Sequence, residues 1–463
     1  MREPKKALLM AIIIVLAAVF LATPFIARSA MGNDALIGQA SYFHLGVAQN
    51  LLQPGSYPLP DVTPTLFDWF LAGLLTVASP AVLSKAVPIA LGVAAAWLFM
   101  SKAGSLVASE KERALAGLFL IISPLFIITF TSLSPFSLAL VLGLAAWRFQ
   151  DSSRIGSGLL LLSALFVDAR AFILTALLMT AYGLLKGSWR GPAVTGAAGL
   201  LVMVALDAFW GFLASEQLAL GSAMGGFFVS LGADMGYSFF ILLLALIGLM
   251  ARWSRHRSAV AASLLMAGVF FFSFSDPLTR ILMAPVLALL AARGGRELLE
   301  RQWSVRLVRD VTLFLVALSL LFTLVLTLSE QSEEEPSLAQ LEALQFLRTV
   351  PEGEVVLSSP DNGVFVQRIA RRQAFLDRVG GDPSLEAERR RVADRIFSAQ
   401  RLDPAASLLE SHGISHVLVD QEMRHGGVWT AEEQGLLFLM EHSDRFVKVY
   451  DRLGVAVYRF VDG

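Results

Sequence analysis

Apolar runs close to the ~20 residues that a helix needs to cross a bilayer recur throughout the first 328 positions of this chain. In hydrocarbon a backbone has no water to bond to, so each such run must close its own hydrogen bonds as a helix. Composition agrees: 56% of residues are hydrophobic and 16% charged, where an ordinary soluble domain has about 25% charged. One large soluble enzyme is thereby excluded. The net charge of −1 hides a split: residues 1–328 carry 22 Lys/Arg and 15 Asp/Glu, and residues 329–463 carry 15 and 23. A slightly basic membrane domain therefore precedes an acidic soluble one. No basic stripe lies on a soluble face, so nucleic acid is not an expected partner. The absence of cysteine removes disulfides, thiolate metal sites and cysteine nucleophiles together.

Basic loops set the expected orientation. Arg2, Lys5 and Lys6 precede the apolar stretch 7–23, which lacks a convincing cleavage site and reads as a retained first span with its N-terminus in the cytoplasm. Inside loops are expected at 102–113, 148–154, 186–190, 252–257 and 293–309. Between them the chain must go out and return, through 114–131 and 135–149, 156–168 and 170–186, 193–213 and 237–252, and 258–275 and 277–293. Adding 7–23, 82–101 and 308–328 gives a polytopic α-helical membrane protein of about eleven spans. The stretch 65–78 must then lie at the interface or only half-enter. The C-terminus falls outside.

Two external segments are too long for turns, the first loop 27–81 and a central loop 214–236. The membrane domain 1–328 is followed by an acidic linker, 329–337, and a soluble extracytoplasmic domain, 338–463. There the pattern predicts helices over 338–350, 384–399, 403–412 and 430–441, with strands at 354–358, 415–419, 446–450 and 455–460. Interleaved strands and helices imply a small α/β domain. No internal repeat is visible.

An ionisable residue in or near the bilayer is expensive, which makes each one a functional candidate. Outer acids are Asp34, Asp61, Asp68, Asp168, Asp207, Glu216, Asp234 and Asp276; outer cations are Arg28, Lys85, Arg170 and Arg280. Such carboxylates suit base- or metal-assisted transfer, and arginine matches a phosphate through two parallel hydrogen bonds. Each has a plainer reading. Asp34 could cap a helix starting near Ala35; Glu216 could be a solvated helix end; Arg280 could pair with Asp276 four residues earlier; Asp361, in Asp-Asn-Gly, could simply serve a turn. Tyr42, Phe43, Trp69 and Phe70 read as an aromatic interface belt, and His44 as a packed interfacial histidine.

Four places carry a more specific pattern. Ala40-Ser41-Tyr42-Phe43-His44-Leu45-Gly46 resembles the Asp-Ala-Tyr-Tyr-His-Leu-Arg motif that follows the first span in archaeal oligosaccharyltransferase catalytic subunits. These are membrane glycosyltransferases of the GT-C type. Ala214-Ser215-Glu216-Gln217 is similar to the family's Val-Ala-Glu-Gln, with Phe227-Phe228 following at a similar distance. Arg280, with Pro285 after it, is similar to the family's arginine that contacts the lipid-linked diphosphate. The run from Val355 to Gly363 resembles the strand and loop leading through Trp-Trp-Asp-Tyr-Gly. The resemblance implies a GT-C-like fold over nearly the whole chain and transfer of a sugar from a polyprenyl-(di)phosphate donor on the outer membrane face. It implies Glu216 as a catalytic candidate, Arg280 on the donor phosphate, and Asp361 and Gly363 on the acceptor side. Beside these, Asp34, six residues upstream of Ala40, is the catalytic candidate as a replacement base or ligand, and Lys85, an outer cation, is expected on the donor phosphate.

The departures bear on chemistry. The family's metal-binding aspartate aligns with Ala40 and its arginine with Gly46, while its second acidic motif falls at 132–137, which contains no acid. Its acceptor-recognising tryptophans align with Ser359 and Pro360. A divalent Mg or Mn would thus lack its usual hard oxygen ligands. Expected partners are a lipid-linked sugar, membrane lipids and an acceptor that is protein, glycan or lipid. A degenerate relative that binds a lipid carrier or glycan without chemistry is the second reading. A transporter is the third; it is disfavoured because charges cluster at the outer ends and no repeated halves are seen.

Overall fold

The computed structural model describes residues 3–55, 63–107, 109–186, 236–253, 266–270, 273–274, 276–377, 383–431 and 433–461. The expected span 193–213, Glu216 and nearly all of the segment 214–236 lie outside the described residues, as does most of 258–275. The chain forms two compact units. One comprises Met1–Ala27, Thr65–Phe67 and Lys85–Ser332; the other comprises Arg28–Pro64, Asp68–Ser84 and Glu333–Gly463.

The first unit is helical. Its described elements are α1 (Glu3–Ala30), α4 (Pro80–Ala103), α5 (Glu110–Ile121), α6 (Pro124–Thr129), α7 (Pro135–Phe149), α8 (Arg154–Val167), α9 (Ala169–Lys186), α10 (Phe239–Trp253), α11 (Pro277–Glu300) and α12 (Arg306–Glu333). Between α1 and α4 in sequence come α2 (Gly38–Leu52), which belongs to the second unit, and α3 (Leu66–Leu75), most of which does. Among the described residues four helices are long and apolar enough to cross a membrane: those at Ala7–Ala30, Pro80–Ala103, Pro277–Glu300 and the one starting at Arg306. At 1.5 Å per residue, ten-residue α3 is only about 15 Å long.

Burial along these helices follows one face. On α1, Ile13, Ala17 and Leu21 recur at four-residue spacing and are buried, while Leu8, Ile12, Val15 and Val19 are exposed. On α12, Phe314, Leu315, Leu318 and Phe322 all face outward. Outward apolar rows of this length suit lipid and not water. The helix starts are written in the sequence: Ser109 caps α5 by accepting from the Glu112 amide at 3.2 Å, and Ser134 caps α7 with Pro135 at its first position. Helices α10 and α11 meet through glycines. A Cβ on Gly248 would strike the Leu290 carbonyl oxygen, and one on Gly294 would strike the Leu244 carbonyl oxygen. Only hydrogens allow two backbones this close.

The second unit holds a five-stranded sheet in the order β2-β1-β3-β5-β4, built from β1 (Val355–Leu357), β2 (Gln373–Ala374), β3 (Ile414–Val419), β4 (Phe446–Arg452) and β5 (Val455–Phe460). Strand β1 pairs in parallel with β2 and β3, whereas β5 is antiparallel to both β3 and β4. Successive side chains alternate faces. Leu357, Val417, Val419, Ala456 and Tyr458 enter one core with helices α14 (Pro383–Phe397), α15 (Leu402–Ser411) and α16 (Gly435–His442). Val356, Leu418, Val455 and Val457 enter the other with α13 (Leu338–Leu347) and with Tyr42, Phe43 and Val47 of α2. Cover on both faces explains the consecutive apolar residues of the inner strands, Val417–Val419 and Val455–Tyr458, whereas the edge strand β4 is largely exposed. Helix α13 starts with a reciprocal cap: the Gln340 amide donates to Ser337 Oγ, and the Ser337 amide to Gln340 Oε1.

Candidate functional site

In the helical unit the ionisable residues converge at the start of α11. Asp276 is fully buried and caps that helix: its Oδ2 accepts from the Thr279 amide at 2.7 Å and hydroxyl at 2.5 Å. Its Oδ1 takes Arg170 Nη1 at 3.1 Å, and the same guanidinium reaches Asp168 Oδ2 at 3.0 Å through Nη2. Arg170 is thus clamped by two carboxylates. The pairing of Asp276 with Arg280 suggested by their four-residue spacing is not made, because the cap and Arg170 already engage the Asp276 carboxylate. Arg280 sits one turn further along α11, with its Nε buried and without a hydrogen-bond partner. Nearby, the hydroxyl of Tyr237 lies 2.6 Å from Ser273 Oγ, and Arg280 acts on that tyrosine electrostatically. Lys85 is half-buried in the second turn of α4.

The second unit brings the first external segment together with the C-terminal residues. The Arg28 guanidinium donates to the carbonyls of Glu334 and Pro336, Asn33 Nδ2 donates to the Pro336 carbonyl at 3.1 Å, and the Gly38 amide donates to that of Glu335 at 2.9 Å. Asp34 is exposed in the loop between α1 and α2. It does not cap α2, which begins at Gly38 with Ile37 as its cap; the Asn33 side chain instead takes the Ala35 amide at 3.1 Å and turns the chain early. Burial pushes the Tyr42 phenol up to about 12, and its oxygen accepts from the Leu36 amide at 3.0 Å. His44 Nδ1 lies 2.7 Å from Asp68 Oδ1, and Asp68 is only 1% exposed. The packed histidine of the sequence reading is therefore one half of a buried His–Asp pair.

Asp361 occupies a one-turn 3-10 segment, Pro360–Asn362, where its Oδ1 accepts from Gln39 Nε2 of α2 at 3.2 Å. It lines a broad groove of mixed polarity, with Arg390, Asp394 and Gln434 on one hand and Leu376, Phe397 and Trp429 on the other. Gly363 has a steric reason to be glycine: a Cβ there would strike the Leu376 carbonyl oxygen and come within 2.8 Å of Asp377 Cα. Sequence reasoning missed Arg368. Its guanidinium lies against the backbone of Gly46, where a Cβ would be 2.6 Å from Cζ, and its Nη2 donates to Gln49 Oε1 at 2.7 Å. An arginine thus stands beside the position that carries the motif arginine in the resembled family. It comes from 322 residues away in sequence, a distance at which no local signal links the two.

The metal question can be put to these residues. Ala40 and the segment 132–137 carry no oxygen acid, and among the described residues no three His, Asp or Glu side chains are grouped to hold an ion. The described residues do not fit a divalent cation.

No family model and no curated protein matches the chain. Solved structures do. The archaeal oligosaccharyltransferase AglB from Archaeoglobus fulgidus, in complex with an inhibitory peptide and a dolichol-phosphate, superposes with a TM-score of 0.57 at 13% identity, covering 97% of this chain and 74% of that one. ArnT from Cupriavidus metallidurans, bound to undecaprenyl phosphate, gives 0.53 at 14% identity, covering 100% and 99%. The arabinofuranosyltransferase AftD from Mycobacteria gives 0.53 at 17% identity, covering 98% and 40%. The chain shares its fold with these three structures. At these identities the GT-C likeness is one of fold, and it bears out the resemblance read from the motifs at that level.

Proposed function

We propose that the chain is a membrane glycosyltransferase that moves a sugar from a polyprenyl-phosphate or diphosphate carrier to an acceptor on the outer face of the membrane. The observation that carries this reading is Arg280. A guanidinium with a buried, unpartnered Nε stands beside a second arginine already clamped by two acids. It does so in a fold shared with proteins solved with dolichol-phosphate and undecaprenyl phosphate. An unpaired buried donor is costly, and a lipid phosphate would satisfy it with charge-assisted bonds.

In the transfer, the bond between the anomeric carbon and the carrier's phosphate oxygen breaks as the acceptor oxygen bonds to that carbon. The departing phosphate keeps the electron pair, and Arg280 and Lys85 stabilise its charge. The acceptor's proton goes to a carboxylate, for which Asp34, exposed in the loop between α1 and α2, and Glu216 are the candidates. Asp361 would orient the acceptor, and Gly363 would hold that turn in place. The absence of the tryptophan pair at Ser359 and Pro360 favours an acceptor other than a peptide sequon. About eleven spans, an inside N-terminus and an outside C-terminal unit complete the reading.

The test is direct. Purified protein incubated with a panel of polyprenyl-linked sugars and glycan, lipid and peptide acceptors should transfer sugar. Arg280→Gln should weaken carrier binding about tenfold or more, and Arg280→Lys should recover part of it, because an ammonium lacks the guanidinium's fork. Asp34→Asn should lower turnover about a hundredfold without loss of carrier binding. Carrier binding without transfer across the whole panel would favour the non-catalytic carrier-binding relative, a reading the missing acids support. Carrier binding unchanged in Arg280→Gln would remove that residue from the site.

A further inference from the structure

Between α7, α9, α10 and α11 the helical unit leaves a cavity of about 140 Å³, part of it open to the outside. Its walls are apolar, with Leu140, Leu144, Leu178, Met179, Leu282 and Leu289 among them. Two side chains break that pattern. Arg293 closes one end, and its Nε is buried without a hydrogen-bond partner. Thr175 lines the cavity too, and its hydroxyl is also buried and unpartnered. Glu112 shares the Arg293 end but does not neutralise it, since its Oε2 binds Arg296 Nη1 at 3.2 Å. Among the described residues Arg293 makes no ion pair. This is not the Arg280 site. The two arginines are thirteen residues apart on α11, about 20 Å along the axis at 1.5 Å per residue.

An apolar cavity needs no arginine, and a buried guanidinium nitrogen left without a partner in one, as the Nε of half-buried Arg293 is, is costly. The combination describes an amphiphile: a hydrocarbon chain for the walls, an anionic group for Arg293 and a second polar group for the Thr175 hydroxyl. A phosphodiester joined to an esterified acyl chain has all three features. A polyprenyl phosphate has no polar atom below its phosphate, and a neutral diacylglycerol has nothing for the arginine. Along α11 the lining runs from Leu282 to Arg293, about 16 Å at the helical rise, which accommodates the greater part of an acyl chain. We propose that this cavity binds one acyl chain of an anionic membrane glycerophospholipid, with Arg293 holding the phosphate. The assignment is independent of the glycosyltransferase reading.

Full-length protein in detergent, delipidated and titrated with phosphatidylglycerol, dioleoylglycerol or undecaprenyl phosphate, provides the test by native mass spectrometry. Phosphatidylglycerol should be retained at one copy per chain and dioleoylglycerol should not. Arg293→Gln should weaken phosphatidylglycerol retention about tenfold, the scale of one lost charge-assisted contact, while Arg280→Gln leaves it unchanged. Leu178→Trp, which fills the cavity without touching either arginine, should abolish retention, and its melting temperature should no longer rise with added lipid. Equal retention of dioleoylglycerol, or of phosphatidylglycerol by Arg293→Gln, overturns the proposal. Loss of undecaprenyl phosphate but not phosphatidylglycerol in Arg293→Gln also overturns it, by giving the cavity to the carrier. Should Arg293→Gln fail to fold, Arg293→Lys carries the comparison, with intermediate retention expected and full retention overturning the assignment.

Discussion

Gly46 and Arg368 show how a motif can lose a residue while its surroundings keep an arginine. The absence of a side chain at 46 makes the space that the Arg368 guanidinium fills, and Gln49, one turn along α2, fixes that guanidinium at 2.7 Å. The two positions should therefore be energetically coupled. A methyl group at 46 must push the guanidinium aside, so Gly46→Ala should destabilise the protein by about 1–2 kcal/mol, net of the better helix propensity of alanine. Arg368→Ala should cost more on its own than in the Gly46→Ala background, and denaturant melts of the four proteins would give the coupling. Additive losses would show that the close approach carries no energy. Two helix caps are local in their chemistry: Ser337 and Gln340 exchange hydrogen bonds at the start of α13, and Asp276 accepts from the Thr279 amide at the start of α11. Asp276 was read as the candidate partner of Arg280 because four residues separate them, but Arg170, 106 residues away, takes it. Spacing along a helix cannot compete with a cap and a tertiary ion pair that use the same carboxylate.

The elements were legible in proportion to their length and pattern. The strand expected at 455–460 is β5 at those bounds, and the one expected at 415–419 is β3, longer by one residue. Both are buried on two faces over most of their length and so hold short runs of consecutive apolar residues, Val417–Val419 and Val455–Tyr458. Strand β2 was not foreseen. Gln373–Ala374 is two residues long, with no alternation to detect, and owes its place to pairing with β1. The close packing of α10 on α11 was equally hidden, since Gly248 and Gly294 look like ordinary interruptions until the facing carbonyls of Leu290 and Leu244 are seen. Neither backbone can retreat without separating the helices. Gly294→Leu should accordingly destabilise the helical unit by about 3 kcal/mol or more, at the upper end of overpacking. Gly295→Leu, at a position where a Cβ would meet only the Phe119 ring and Leu115 at ordinary contact distances, should cost clearly less. Similar melting temperatures for the two variants would mean that the helices part more easily than their geometry implies.

At the scale of the whole molecule the charge split makes the sharpest claim. Lys102, Lys111 and Arg113 lie in or beside the turn between α4 and α5, and Lys102 Nζ is held at 2.6 Å by Asp151, which follows α7. Arg148 and Arg154 flank that aspartate in sequence, so two successive hairpin ends bring basic residues to one end of the helical unit. Basic residues in short loops are retained on the cytoplasmic side. The acidic residues 329–463 follow one further long apolar helix, α12, which would carry them to the opposite side. A chain with no cysteine of its own allows a clean test, because each introduced thiol is the sole target of a maleimide. Ser105 is exposed beside Lys102, and Ser398 is exposed just after α14 in the C-terminal unit. In intact cells a membrane-impermeant maleimide should label Ser398→Cys and spare Ser105→Cys, and permeabilising the cells should expose both. Labelling of Ser105→Cys from outside would invert the helical unit. That outcome would move the Arg280 end of α11 to the cytoplasmic face and take the proposed transfer off the outer surface.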